Sequence, residues 1–392
     1  MSRSPVDALP TELLGKIFGY VIFAPGSYPV KLDRSRPHPY NVTLVSRHWR
    51  DVAYSTPQLW TVLPGHYPQL WEGIVKRSGI LPLHVEWYGK PPQKPQAWPP
   101  EVLGDPDCHG RLWGLTLRPC IRGLKSSLGA IVPSSSLQYV HLAGGRDHIM
   151  WSDYMEFLTF IQNLPNMTHL GLEGGCIPLA TSAGPAPTLR TRFDHPNLRS
   201  LDLKGWAQRV FGFLELVPLP ALERLEFQAN CVMAISEITH GDPQRVFQDF
   251  WGGWKVAPRS LAVVGSGKDL EVVLGQGETP GHEPGSGAGV PLLRLKATGF
   301  RETGREAWRA LAEVLPLWDI EEMYLHNVRM RRHDAMRLLE WAPQTRYIVV
   351  TGPHAKVVVG APRGMADDAQ GLEILPELLQ SLTSVRTTPF TN

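Results

Sequence analysis

Between residues 112 and 325, short apolar runs of one form, L-x-x-L-x-L, return again and again. The clear members are Leu112/Leu115/Leu117, Leu137/Val140/Leu142, Met167/Leu170/Leu172, Leu198/Leu201/Leu203 and Leu222/Leu225/Phe227. Weaker ones follow at Leu292/Leu295/Ala297 and Ile320/Met323/Leu325. Through the best part the spacing is about 24 to 31 residues. Several are preceded by a proline-bearing turn: Leu164-Pro165-Asn166, His195-Pro196-Asn197 and Pro218-Leu219-Pro220. Side chains alternate along a strand, so the final L-x-L of each run puts its apolar pair on one face. A single such strand cannot bury that face alone. Stacked copies can, by sharing one continuous core.

A period of this size lies near the leucine-rich-repeat range. The best unit, Leu222-Glu-Arg-Leu225-Glu-Phe227-Gln-Ala-Asn230-Cys-Val232, fits L-x-x-L-x-L-x-x-N-x-L at its apolar positions and carries the asparagine. Other units have Gly145, Gly175 or Trp206 where that asparagine would stand. Helical return segments are expected at Phe157, Leu158, Phe160 and Ile161, at Trp308, Leu311, Ala312 and Leu315, and at Met336, Leu338, Leu339 and Trp341. The expected fold class is therefore α/β: parallel strands with helical or irregular returns, forming an irregular leucine-rich-repeat solenoid over residues 111–392. The alternative is an α/β domain whose L-x-L patterns are ordinary buried strands.

The first sixty residues read differently. Pro10 sits where a helix begins, since its missing N–H would lack a partner there anyway. Leu13, Leu14, Ile17, Phe18 and Val21 then recur at three- and four-residue steps, the spacing of one broad helical face. Pro25 and Gly26 are expected to stop the helix, and Ser27 to Pro39 reads as a polar loop. In a second helix Val45, Trp49 and Val52 fall on one stripe, with Arg47, Arg50 and Asp51 facing elsewhere and Pro57 ending it. Two short helices cannot hide this much apolar surface against each other. The excess points to a docking face for another protein.

Leu9-Pro10-x-Glu12-Leu13-Leu14-x-x-Ile17-Phe18, then Val45-Ser46-Arg47-x-Trp49-Arg50-Asp51-Val52-Ala53, then Ser55-Thr56-Pro57-x-Leu59-Trp60, resembles an F-box. It is most similar to the F-box-like group of mushroom-forming fungi (basidiomycetes). Trp71 to Gly79 and Leu81 to Val85 resemble the helix and strand that follow in that group. The resemblance implies a small helical module at residues 5–62, then a linker or first cap at 63–110. It also implies docking to a Skp-type adaptor and, through it, to a cullin-based ubiquitin ligase. Carried over by motif position, the adaptor-binding residues are Leu9, Pro10, Leu13, Ile17, Val45 and Trp49, with Leu14 and Phe18 shared between interface and module core.

Composition narrows the remaining classes. Hydrophobic residues at 43% and charged residues at 19% suit a globular chain. A net charge of +2 gives no signal for a nucleic-acid backbone. No apolar run approaches the roughly 20 residues of a membrane span, and no secretory signal is read at the start. A cytoplasmic or nuclear location is expected, with Cys108, Cys120, Cys176 and Cys231 reduced. Residues 90–100 and 178–187 read as loops, and 275–289, rich in Gly, Pro and Glu, as a flexible insertion.

Catalytic groupings are missing. Gly265-Ser266-Gly267-Lys268 lacks the earlier glycine of a phosphate loop, having Ala262 there, and Asp269 replaces the Ser or Thr that would hold magnesium. No nucleophile elbow or zinc helix is present. His282, His326 and His333 lack ligand spacing, and the pairs Glu321/Glu322 and Asp367/Asp368 read as solvated surface. The expectation is a non-enzyme with no cofactor and no metal, which recognises a protein target. The non-leucine positions of the strands should face an open concave side. Tyr139, His141, His169 and Glu173 are the candidates on the earlier strands. Arg199, Asp202, Lys204, Arg224, Glu226 and Gln228 follow, and then Tyr324 and His326. Two roles fit: a ligase substrate receptor, or a repeat-built interaction scaffold acting outside a ligase.

Overall fold

Helix formation at the start of the chain follows the apolar steps already noted. In a computed structural model, Thr11–Ile22 form α1, with Pro10 as its N-cap and the Leu14 amide bonded to the Pro10 carbonyl at 3.0 Å. The structure describes residues 9–23, 38–65, 67–88, 105–120, 135–144, 150–151, 154–178, 195–216, 222–230, 258–266, 269–275, 293–298, 315–326, 328, 332–351 and 384–388. The chain divides into two compact units, Met1–Pro178 and Leu179–Asn392.

In the first unit α1 is followed by α2 (Pro39–Val42) and α3 (Arg47–Tyr54), then a 3-10 turn at Pro57–Trp60. Strand β1 (Val62–Pro64) leads through a second 3-10 turn into α4 (Trp71–Arg77) and β2 (Leu83–Tyr88). Then come α5 (Pro106–Gly110), β3 (Leu112–Cys120), β4 (Tyr139–Gly144), α6 (Tyr154–Gln162) and β5 (His169–Glu173). Strands β1 to β5 lie side by side in chain order, all parallel. The register aligns the leucines: Val85, Leu115, Val140 and Leu170 form one row, and Leu117, Leu142 and Leu172 another. All seven are buried. At roughly 1.5–3 kcal/mol per fully buried side chain, these rows stabilise the packing of β2 to β5 substantially.

The second unit contains β6 (Ser200–Trp206), α7 (Ala207–Leu216), β7 (Arg224–Asn230), β8 (Ser260–Ser266) and β9 (Asp269–Gly275). After these come β10 (Leu293–Thr298), β11 (Glu322–His326), α8 (Arg332–Trp341), β12 (Tyr347–Thr351) and β13 (Ser384–Thr388). Its strand order is β6-β7-β10-β9-β8-β11-β12-β13. All its described pairs are parallel except β8 with β9 and β9 with β10.

In the runs that start at Leu137, Met167, Leu198, Leu222 and Ile320, the last two apolar residues lie on a strand and the first precedes it, whereas Leu112 itself opens β3. A recurring turn sets this up. Met167 N–H bonds the Leu164 carbonyl (3.1 Å), Leu198 the His195 carbonyl (3.2 Å), Ile320 the Leu317 carbonyl (3.2 Å) and Thr345 the Ala342 carbonyl (3.1 Å). In three of the four, proline or asparagine at the central positions favours that geometry. Just ahead of the strands, backbone links join neighbouring segments: the Gln138 amide bonds the Trp113 carbonyl, the Thr168 and His169 amides the Gln138 carbonyl, the Glu223 and Arg224 amides the Arg199 carbonyl, and the Arg346 amide the Glu321 carbonyl.

The structure amends several expectations. A mixed α/β chain with a helical start and a mostly parallel sheet is what it holds. A uniform stack of parallel strands is not, because β8, β9 and β10 form an antiparallel meander in the second unit. Val45 precedes α3, in the turn at 43–45, and is not part of a helical stripe. Pro39 and Val42, buried in the short helix α2, belong to the core where a polar loop was expected to end. Gly265 and Ser266 belong to β8 and pair with Leu270 and Asp269 of the antiparallel β9, whereas a phosphate loop leads from a strand into a helix; Gly267 and Lys268 lie outside the described residues. Residues 90–100, 179–187, 276–289, most of 27–38, the return at 308–312, Cys231, His282, Asp367 and Asp368 lie outside the described residues.

Candidate functional site

Along α1 the apolar residues separate into two stripes. Leu14, Phe18 and Ile22, spaced four apart, are at most 1% exposed and form the inner stripe. Leu13 (48% exposed), Ile17 (42%), Tyr20 (69%) and Val21 form the outer one. Gly15 is buried on the inner side, where a Cβ would meet Thr56 Oγ1 at 3.1 Å, so α1 sits close to the following turn. Phe18 packs its ring on Trp49 at 4.9 Å between centroids. A second apolar pair, Leu44 (76% exposed) and Val45 (60%), stands in the turn between α2 and α3.

Capping fixes that turn from both sides. His38 accepts the Tyr40 N–H through Nδ1 at 3.3 Å at the start of α2, and burial holds its pKa below the usual histidine value. Ser46 Oγ accepts the Trp49 N–H at 3.1 Å at the start of α3. Such a cap satisfies one of the amide donors that a helix start leaves open. Arg50 Nε reaches back to the Thr43 carbonyl (3.1 Å), and Trp60 Nε1, fully buried, donates to the Ala53 carbonyl (2.8 Å).

The residues expected at an adaptor interface therefore divide by depth. Pro10, Leu13, Ile17 and Val45 are exposed; Leu9 and Trp49 are half-buried; Leu14 and Phe18 are core. Tyr20, Val21 and Leu44 share the exposed surface but were absent from that expectation. Their signal was available in part: Tyr20 and Val21 follow Leu13 by seven and eight positions, one helical face.

A family model for the F-box-like domain matches residues 6–63. The chain carries an F-box-like domain. No curated protein matches the chain. F-box domains typically bind Skp-type adaptors, and the F-box-like domain here presents its outer stripe on α1 together with the Leu44–Val45 turn.

The residues expected to meet a target are distributed over both units. On the first, Tyr139 and His141 are buried, at 7% and 4% exposure, which corrects the expectation of an open face at these positions. The His141 ring lies over Gly171 on the next strand, as the His84 ring lies over Gly114, and a Cβ at either glycine would collide with the imidazole. Arg118 Nη2 is 2.8 Å from His141 Nε2, so His141 accepts there, and Glu173 is 4.0 Å from the same nitrogen. His169 is half-buried, with Nδ1 2.8 Å from Thr168 Oγ1.

In the second unit the polar positions are more open. Lys204 is exposed; Asp202 and Gln228 are half-buried. Arg199 pairs with Glu223 at 2.8 Å and Arg224 with Glu226 at 2.9 Å. Tyr324, half-buried beside His326, donates to Glu322 at 3.3 Å; burial and the Glu322 charge push its pKa up to about 12. Three strands separate β7 from β11, so Glu226 and Tyr324 stand roughly 19 Å apart across the sheet. Among the described residues no group of His, Cys, Asp or Glu is placed to hold a metal ion, and no helix is long and apolar enough to cross a membrane. Cys108 and Cys176 are free thiols, both buried.

Proposed function

We propose that the chain is a non-catalytic substrate-recognition subunit of a Skp–cullin–F-box ubiquitin ligase. The observation that carries the reading is the outer stripe of α1, Leu13, Ile17, Tyr20 and Val21, left exposed on a matched F-box-like domain whose own core is already filled by Leu14, Phe18 and Trp60. A buried apolar anchor supplies most of the affinity at an interface of this kind. The adaptor would connect the chain to a cullin in the cytoplasm or nucleus. The rest of the chain, read as irregular leucine-rich repeats on the strength of the recurring turn and link, would hold a protein target. Arg199, Asp202, Lys204, Arg224, Glu226 and Gln228 are the best placed candidates for that contact, followed by Tyr324 and His326. Catalysis would then be by proximity, with the target held near the ubiquitin-carrying enzyme.

The test is co-purification of the full chain with a Skp-type adaptor, for the wild type and for Leu13→Asp/Ile17→Asp. Wild-type capture and loss in the double variant, with the far-UV spectrum unchanged, is expected. Retained capture in the variant removes α1 as the docking face. No capture by the wild type favours the second reading, an interaction scaffold acting outside a ligase.

A further inference from the structure

Arg77, the last residue of α4, reaches back into the F-box-like domain from beyond the end of the family match. Its guanidinium carbon lies 4.4 Å from the ring centre of Tyr54, 5.1 Å from that of Trp60 and 5.6 Å from that of Tyr40. The three rings belong to three separate elements: Tyr40 to α2, Tyr54 to the end of α3, and Trp60 to the 3-10 turn. One guanidinium nitrogen also donates to Tyr40 Oη at 3.1 Å and to the Gly73 carbonyl at 2.8 Å. A cation among aromatic faces is attracted by each of them, more strongly as water is excluded. The other end of α4 is anchored too, since buried Trp71 donates through Nε1 to the Pro64 carbonyl at 2.8 Å.

Gly73 makes room for this contact. A Cβ there would lie 2.6 Å from Arg77 Nη1 and 3.0 Å from Tyr40 Oη. Glycine is a poor residue for the middle of a helix, and alanine would favour α4 by intrinsic propensity. Local preference and the Arg77 contact therefore ask for opposite residues at position 73.

We propose that Arg77 is a positioning residue that locks α2, α3 and the Leu44–Val45 turn between them onto α4, with Gly73 kept small so that the lock can close. The adaptor-facing turn would then be held in place from outside the family-matched segment. The functional half of this statement rests on the adaptor reading; the lock itself does not.

The test is hydrogen exchange of the full chain followed by mass spectrometry, for the wild type, Arg77→Ala, Gly73→Ala and the double variant. Exchange of amides in 38–54 is expected to rise about tenfold in each single variant, the scale of one such cation–aromatic cluster, while β3 amides keep their wild-type rate. The double variant should exchange no faster than Arg77→Ala, because both changes break one contact. Slower or unchanged exchange in Gly73→Ala, as helix propensity alone predicts, overturns the lock; so do additive effects in the double variant. Should Arg77→Ala release β3 as well, the Gly73→Ala result decides. Adaptor capture by Arg77→Ala is measured alongside and should fall several-fold. Undiminished capture overturns the positioning role. Absence of capture by the wild type overturns the adaptor reading and with it that role, while the exchange data still decide the lock.

Discussion

Leu13 and Leu14 are neighbours in sequence with opposite surroundings, and truncating each to alanine should produce opposite results. Leu14 is 1% exposed on the inner stripe with Phe18 and Ile22, so Leu14→Ala removes the three buried carbons beyond Cβ and leaves a cavity. Changes of this type cost about 2–5 kcal/mol, a large part of the ~5–15 kcal/mol that stabilises a typical domain. Leu13 is 48% exposed and has given up only about half of its contact with water. Its truncation should cost under about 1 kcal/mol. The chain has more than one compact unit, so a single global unfolding curve is a poor reporter. Exchange of amides in 9–23 isolates α1. There Leu14→Ala should accelerate exchange roughly 30-fold or more, and Leu13→Ala less than about fivefold. Adaptor capture should separate the pair the other way: Leu13→Ala weakens it at unchanged α1 protection, whereas Leu14→Ala acts only by loosening the helix. Equal exchange in the two variants would refute the assignment of inner and outer stripes.

Three further outcomes follow from specific contacts. Ser46→Ala removes the acceptor for the Trp49 N–H and should cost about 1 kcal/mol, read as faster exchange of the first α3 amides; Ser46→Asp, which keeps an acceptor, should restore protection. Gly114→Ala puts a methyl group into the buried His84 imidazole and should destabilise the β2–β3 pair by about 1–3 kcal/mol, measured as the urea midpoint of β3 exchange; His84→Ala should relieve it. Burial pushes the Cys108 thiol from 9.0 up to about 11, against the favourable charge of Arg111. The thiol is protonated in both states below about 9, and the unfolded chain ionises first as pH rises. Its contribution to stability should therefore be intact below pH 9 and be lost as pH climbs toward 11. A melting series across that range for the wild type and Cys108→Ala checks this, and a parallel decline in both rules it out.

Local pattern made some of this protein readable in advance. The steps of three and four from Leu13 onward, and the proline ahead of them, predict α1; the L-x-L pairs predict the strands that carry Leu115/Leu117, Val140/Leu142, Leu170/Leu172, Leu201/Leu203 and Leu225/Phe227. These are nearest-neighbour effects, written in a handful of consecutive residues. Strands β8, β9 and β12 were harder to read, since Leu261 to Val264 and Val272 to Leu274 carry no repeat spacing and gain their identity from partners far along the chain.

The sequence by itself determined the F-box-like motif, the periodicity of its first helix and the run-by-run placement of apolar strand residues, because backbone geometry translates residue spacing directly into faces. Tertiary structure alone decided which of two adjacent stripes on α1 is hidden. That choice depends on Trp49 and Thr56, more than thirty residues away. Tertiary structure likewise decided that His141 is covered while Lys204 is not, and that β9 runs against its neighbours. It also gathered Tyr40, Tyr54 and Trp60 around Arg77, since no spacing rule links four residues that meet only when separate elements pack.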